Sequence, residues 1–525
     1  MERFTREERD ALAPYFTNLD GPVFALVNLP EVVKGALFAR YSRSPKSLRR
    51  LFLDEFREEA AAPVAHHIGT ARADRLYERV FSEYGDDSVA QLGGVHLACE
   101  DASNILTKVL EWGRLMAYLE QSTRYIPYTD RPGGRWRYHV PAELDGHPLR
   151  ERFVETHDRA FETYVRWIEP LRDHWASRLT RPADIGDAAW RSTIRAKALD
   201  SLRGLLPAAT RSSVGIFGTG QGYEALLLRM RRHPLAEVRD YADRMLVELR
   251  KVIPAFLQRV DRPDRGHVWS DYLADSRRDT ARIADRLLAG LEPEPREEVT
   301  LTDFDPEGEI KVVAAALYAS SRLPDDQLLA VARKLGPEER RQVLDAYVGA
   351  RANRRHKPGR AFERTSYRFD VLGDYGAFRD LQRHRLLTLE WQPLSTRHGW
   401  VCSEEIEAVG ALPDWRHVME EAGHLYEALR AAGLGEVAPY AVSMAYRLRY
   451  YMELNAREAM HMIELRTTPQ GHPAYRRICQ AMHRLIATQA GHEAIAAAMG
   501  FADLSAGEGG RLAAERAAEK RRGAS

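Results

Sequence analysis

Apolar residues recur at intervals of three and four through Leu235, Val238, Tyr241, Ala242, Met245, Leu246, Leu249, Val252 and Phe256, a stripe that predicts an amphipathic helix. His233-Pro234 stands where the first turn would be, a position at which proline sacrifices no intrahelical hydrogen bond. The pattern then breaks at Glu292-Pro293-Glu294-Pro295, whose alternating prolines and acids neither continue a helix nor bury anything. Beyond it, Val299-Thr300-Leu301-Thr302-Asp303-Phe304 alternates apolar and polar residues as a half-buried strand does. A second domain is expected to begin there.

One order of events occurs on both sides of that break. A strand-like segment near Val23 to Val27, or Val299 to Phe304, leads into a helix containing Pro30-Glu31-Val32-Val33, or Glu309-Ile310-Lys311-Val312-Val313. Polar turns follow at Gly85-Asp86-Asp87-Ser88 and at His356-Lys357-Pro358-Gly359-Arg360. Next comes Leu119-Glu120-Gln121-Ser122-Thr123-Arg124-Tyr125, echoed by Leu389-Glu390 and Leu394-Ser395-Thr396-Arg397-His398. His233-Pro234 and His472-Pro473 each follow an arginine-bearing helical stretch. The chain reads as a tandem duplication, with domains at 1–290 and 298–505 and a small, charged, frayed tail at 506–525.

Composition narrows the class. A chain of 525 residues exceeds what one core usually serves, and 44% hydrophobic with 29% charged residues is ordinary for a globular protein. A formal charge of +1 weighs against partners recruited by bulk electrostatics, such as long nucleic acid or an anionic membrane. Cys99, Cys402 and Cys479 show no CxxC spacing, so neither a disulfide framework nor a thiolate metal site is expected. The amino terminus is charged and no apolar run approaches the roughly 20 residues needed to cross a bilayer, so cytoplasmic residence is expected.

Candidate chemistry concentrates in a few places. Arg383-His384-Arg385, followed far downstream by Asn455, Arg457 and Arg466, gathers more guanidinium charge than a fold tolerates without a bound anion. Arg383 and Arg385 would diverge on a helix and share a face on an extended segment. For Arg-His-Arg alone a solvated charge run is the plainer reading. In the first half, Ser122 and Arg124 could hold a phosphate while Glu120 and Tyr125 contact a sugar or ring, although a surface turn is the plainer reading of that motif too. Arg203, in Arg203-Gly204-Leu205-Leu206-Pro207, adds another guanidinium beside an apolar stop.

Other motifs read as structural. Gly215 to Gly222 is expected to be a turn between helices, since no buried strand is evident before it. His417 and His424 are two helical turns apart and too distant to share a metal, so a solvated helix is expected. Tyr446, Tyr450 and Tyr451 fall at helical intervals and suggest the core face of a helix.

Taken together, these motifs resemble the flavin-dependent thymidylate synthases, the ThyX family. That signature runs Arg-His-Arg, Ser, Asn-Glu and Ser-x-Arg-Tyr, then Arg-x-x-Leu-Pro, then Asn-x-Arg leading to a base-binding arginine. Arg383-His384-Arg385 matches its opening; Ser395, Thr396, Arg397 and His398 match its close, with two extra residues between and His for Tyr. In the first half Arg114, Glu120, Ser122, Arg124 and Tyr125 keep the spacing, with Trp112-Gly113 for Arg-His and Leu119 for Asn. Arg203 and Pro207 match the next element, where the second half has Pro439 and no arginine. The second half keeps Asn455, Arg457 and Arg466, where the first has Gln221, Tyr223 and Arg229 or Arg232.

The resemblance, over roughly 24–252 and 299–486, implies a helix-rich α+β fold of two tandem domains, each a small antiparallel sheet flanked by long helices. It implies reductive methylation of dUMP to dTMP, with methylenetetrahydrofolate donating the carbon and NADPH reducing a bound FAD. Carried over residue by residue, Ser88, Arg383, His384, Arg385, Asn455 and Arg457 hold FAD. Glu120, Ser122, Arg124, Arg203, Ser395 and Arg397 bind the nucleotide, and Arg466 lies against the uracil. No protein nucleophile and no metal are implied. Family members are homotetramers with sites shared between subunits, so a homodimer of this chain would rebuild the four-unit core, half of its composite sites intact. The departures leave a second reading open, a paralogue that binds FAD or a pyrimidine nucleotide as a regulator or scaffold.

Overall fold

The computed structural model describes residues 2–29, 31–41, 44–56 and 94–505. Ser88 and the tail 506–525 lie outside the described residues.

Two four-stranded antiparallel sheets share one topology. Strands β1 (Val23–Leu26), β2 (Gly94–Ser103), β3 (Met116–Glu120) and β4 (Arg211–Thr219) assemble in the order β1-β2-β4-β3. Strands β5 (Val299–Phe304), β6 (Ser366–Asp374), β7 (Thr388–Trp391) and β8 (Arg447–Asn455) assemble as β5-β6-β8-β7. Register repeats as well: Ser103 faces Arg211 in one sheet, Asp374 faces Arg447 in the other. Both Ser103 and Asp374 then cap the helix that follows, accepting from the backbone N–H of Leu106 and of Ala377. The fold is α+β and helix-rich, and among the described residues no helix is long and apolar enough to cross a membrane.

The predicted stripe forms the helix Ala236–Arg250, which buries Val238, Tyr241, Ala242, Met245, Leu246 and Leu249. It stops short of Phe256 because Pro254 opens a separate 3-10 turn, Pro254–Leu257. Pro234 lies just before the N-cap Leu235 rather than in the first turn.

Two further expectations are corrected. Along β8 burial alternates residue by residue, with Leu448, Tyr450, Met452 and Leu454 inward, so Tyr450 and Tyr451 belong to a strand and not to a helix. Tyr451 faces away from Tyr450, beneath the Arg368 guanidinium at 3.7 Å. Gly215 and Gly218 lie inside β4, and the helix Gly220–Met230 follows directly, so this stretch is strand and helix cap rather than a turn between helices. A Cβ on Gly215 would sit 2.5 Å from the Phe38 ring, which is why the strand needs glycine there.

The chain divides into two compact units. The first comprises Met1–Trp167, Leu205–Pro293 and Leu412–Ser443; the second comprises Ile168–Gly204, Glu294–Ala411 and Met444–Ser525. Each contains one sheet and one segment from the far side of Pro293.

Inside the first unit, the helix Leu412–Ala431 buries Trp415, Met419, Ala422 and Leu425 and packs along the helix Leu149–Arg166. Asp414 accepts from Arg166 Nη1 and Trp167 Nε1, each at 2.9 Å. Its histidines are exposed as expected, with His417 bonded to Arg159 at 3.0 Å. Inside the second unit, Gly204 O accepts from Ala445 N at 3.0 Å, tying the incoming helical segment to the start of β8.

Candidate functional site

The site lies in the second unit, where two chain reversals meet. Helix Tyr375–Leu381 ends at the turn 382–387, which feeds β7. Strand β8 ends at Asn455, whose side chain accepts from Glu458 N at 2.9 Å and so caps the helix Ala456–Arg466. That helix presents Glu458, His461 and Leu465 at spacings of three and four, hence on one face. Together with Lys357, Glu363 and the turn residues they line a cavity of about 250 Å³. Arg383, His384, Arg385, Asn455, Arg457 and Arg466 all contribute to its wall. The Arg-His-Arg run therefore converges on one cavity, as non-helical backbone permits, and is not a solvated charge run.

A chain of hydrogen bonds sets the electrostatics. Arg466 Nε donates to His384 Nε2 at 2.9 Å. Because a guanidinium only donates, His384 carries its proton on Nδ1 and donates it to Glu458 Oε1 at 3.1 Å. His461 Nδ1 lies 3.3 Å from Glu458 Oε2. Burial brings the His384 pKa down to about 4; Glu458 opposes this and the Arg466 charge reinforces it, so the imidazole is neutral. Burial pushes Glu458 upward, but the bonds from His384 and His461 outweigh it and bring its carboxyl to about 2. Burial and nearby Arg383 lower the Arg466 pKa, yet a guanidinium stays charged at neutral pH. The result is a fixed cation held by a neutral imidazole that an ionised carboxylate anchors.

His384, Glu458 and His461 also offer ligand atoms within 4.8 Å of one another, close enough for a metal ion. Binding through His384 Nδ1 would move its proton to Nε2, directly against the Arg466 Nε–H, and would set two cations side by side. The arrangement suits an anionic or electron-rich ligand better.

Arg203 is buried behind this wall. Its Nη1 lies 3.2 Å from Asp380 Oδ2, and the other oxygen of Asp380 pairs with Arg383, so one carboxylate joins Arg203 to the cavity. Arg457 is steadied by Pro358 O, 3.0 Å from its Nε. Ser395 is buried and Arg397 exposed in the segment after β7, and neither lines the cavity. Glu120, Ser122 and Arg124 belong to the first unit. Glu120 and Arg124 are buried, which corrects the surface-turn reading of that motif. Glu120 Oε2 lies 3.3 Å from Lys108 Nζ, and Ser122 Oγ accepts from Arg124 N at 3.3 Å.

The structure also revises how the halves correspond. Thr219 caps its helix by accepting from Gly222 N, as Asn455 accepts from Glu458 N, so these two residues are equivalent. Arg457 then matches Gln221, and Arg466 matches the buried Met230 rather than Arg229 or Arg232. Glu458, His461, Lys357, Glu363 and Asp380 were not among the expected site residues. Glu458 and His461, three and six positions after the capping Asn455, carried a one-face spacing that could have found them.

Residues 35–255 and 300–490 match the family described as Thymidylate synthase complementing protein. The chain is 37% identical over 520 residues to a UPF0159 protein of Chlamydia muridarum, covering 98% of each chain. It is 30% identical over 514 residues to a UPF0159 protein of Thermoplasma acidophilum, covering 92% of this chain and 97% of that one. To a flavin-dependent thymidylate synthase of Clostridium tetani it is 27% identical over 197 residues, 36% of this chain and 72% of the other. With the family matched over most of its length in two successive segments, the chain belongs to the thymidylate synthase complementing protein family.

Proposed function

We propose that this chain is a cytoplasmic, flavin-dependent thymidylate synthase that converts dUMP to dTMP with methylenetetrahydrofolate, NADPH and FAD. The supporting observation is the convergence of Arg383, His384, Arg385, Asn455, Arg457 and Arg466 on one cavity. Among the described residues its wall carries five cations, Lys357, Arg383, Arg385, Arg457 and Arg466, against the acids Glu363 and Glu458. That donor set fits a cofactor bearing a pyrophosphate and a ring with carbonyl acceptors. At about 250 Å³ the cavity is just under the ~300–1,000 Å³ usual for small-molecule sites, so these residues would hold part of FAD.

When bound, the flavin supplies the hydride chemistry. Arg383, Arg385 and Arg457 orient and neutralise its phosphates, while Asn455 offers an amide donor. Arg203 keeps Arg383 in place through Asp380. Arg466, held through Nε, directs its remaining N–H groups at a uracil carbonyl, where negative charge develops as the ring is attacked. Glu458 stays ionised and so keeps His384 in the tautomer that accepts from Arg466. Glu120, Ser122 and Arg124, in the first unit, would bind the nucleotide phosphate and sugar.

The test is direct. Purified protein reconstituted with FAD is incubated with dUMP, methylenetetrahydrofolate and NADPH, and dTMP is measured by chromatography beside an Arg466→Gln variant. Flavin absorbance in both proteins with dTMP in the wild type alone supports the reading. Flavin retention without dTMP in either would leave a binding protein, and a colourless protein would remove both.

A further inference from the structure

We infer that the first unit holds a separate binding site for a phosphorylated small molecule, a reading independent of the proposed synthase site. A cavity of about 860 Å³ lies where β2 bulges between Cys99 and Ala102. The bulge turns Glu100 and Asp101 into the wall, with Asp101 in the left-handed backbone region at φ 57°. None of Glu120, Ser122 and Arg124 lines it.

Charge points to the occupant. Among the described residues the wall carries eight cations against three acids, Glu2, Glu100 and Asp101. Five of the cations are already matched: Arg49 by Glu100, Arg50 by Glu2 and Glu8, Lys46 by Asp54, Arg137 by Asp130 and Arg150 by Asp145. Arg3, Arg135 and Arg211 remain, with no carboxylate in ion-pair range among the described residues. Among the described residues Asp101 is the one wall acid in the same position, and it is exposed.

Hydrogen bonding points the same way. Three donors on residues that line the wall are shielded from solvent and have no partner among the described residues: Trp136 Nε1, Arg49 Nε and Arg211 Nε. Trp136 is 7% and Arg49 2% exposed, so water does not substitute freely. Every one of these orphans is a donor. A buried donor left unmade costs about 1–3 kcal/mol, so the ligand that suits this wall brings acceptors and negative charge together. A phosphoryl group does both, offering several oxygens to arginine forks. The volume lies within the ~300–1,000 Å³ usual for small-molecule sites.

The experiment is calorimetric titration of the full chain with inorganic pyrophosphate at low salt, in an Arg383→Gln/Arg466→Gln background that weakens the other basic cavity. One equivalent should bind. Adding Arg211→Gln should weaken binding at least tenfold, and Trp136→Phe, which keeps the ring and deletes the N–H, about fivefold. Should Arg211→Gln disturb folding, the exposed Arg135→Gln decides, with an expected loss of several-fold. Citrate, equally anionic but without phosphorus, should bind at least tenfold more weakly. No pyrophosphate binding in the background, affinity unchanged by Arg135→Gln and Arg211→Gln, or a preference for citrate would overturn the inference.

Discussion

Replacing Glu458 by glutamine isolates the electrostatic anchor of the candidate site. In the folded chain its carboxyl lies at about 2, against an ordinary 4.5, because bonds from His384 and His461 outweigh the cost of burial. At about 1.4 kcal/mol per pH unit, that difference contributes about 3 kcal/mol of stability at neutral pH. The sign follows from which state takes the proton first. Above pH 4.5 both folded and unfolded chains hold the carboxylate and the contribution is complete. As pH falls from 4.5 towards 2 the unfolded chain is protonated first, and the contribution drains away. Urea unfolding of wild type and Glu458→Gln, read by a probe within the second unit, should therefore show a gap of about 3 kcal/mol at pH 7. That gap should be little changed at pH 4.5 and roughly halved by pH 3. A gap below about 1 kcal/mol at pH 7, or one that does not respond to acid, would refute the reasoning.

Other substitutions test the scaffold. Gly308→Ala places a Cβ 2.2 Å from Thr365 Oγ1 and 2.6 Å from His492 Cε1, so a loss of about 1–3 kcal/mol is expected in thermal unfolding, and an unchanged Tm would contradict that packing. Buried Glu237 accepts from Ser103 N at 2.9 Å and from Ser103 Oγ and Tyr440 Oη at 2.6 Å each. Glu237→Gln turns one acceptor into a donor and should cost about 2–4 kcal/mol by denaturant titration, whereas a neutral result would deny the network its importance. Of the three cysteines only Cys402 reaches the surface; the partial burial of its thiol and the acids Glu407 and Glu405 raise it to about 11. A thiol reagent at pH 7.5 should label one site slowly, and rapid labelling of two or more would show the cores of Cys99 and Cys479 to be open.

How much of this was legible depended on what each residue packs against. The helix through Val238 and Leu249 could be read because its whole buried face meets one core. Strand β5 could be read because its alternation is plain. Tyr446, Tyr450 and Tyr451 misled because spacings of four and five imitate a helix, while the true signal was the alternation of Leu448, Tyr450, Met452 and Leu454. Gly215 misled because a glycine-rich strand looks like a turn until the Phe38 ring that demands it is placed. At the site, the arginines announced themselves by charge. Glu458 and Asp380 did not, since an acid that orients an arginine looks in sequence like any other acid. Nor does an amphipathic pattern such as that of Leu412–Ala431 name the surface it will cover.

The allocation of Leu412–Ser443 to the first unit and of Ile168–Gly204 to the second makes the linker near Pro293 more than a tether. A protein cut there would release two fragments, each lacking a piece of its own core and carrying a helix meant for the other. Such fragments would expose apolar faces, and cutting the chain at this junction is expected to give products that aggregate or recombine. A single covalent chain is therefore expected to guard each unit against losing the helices that the other half of the sequence supplies.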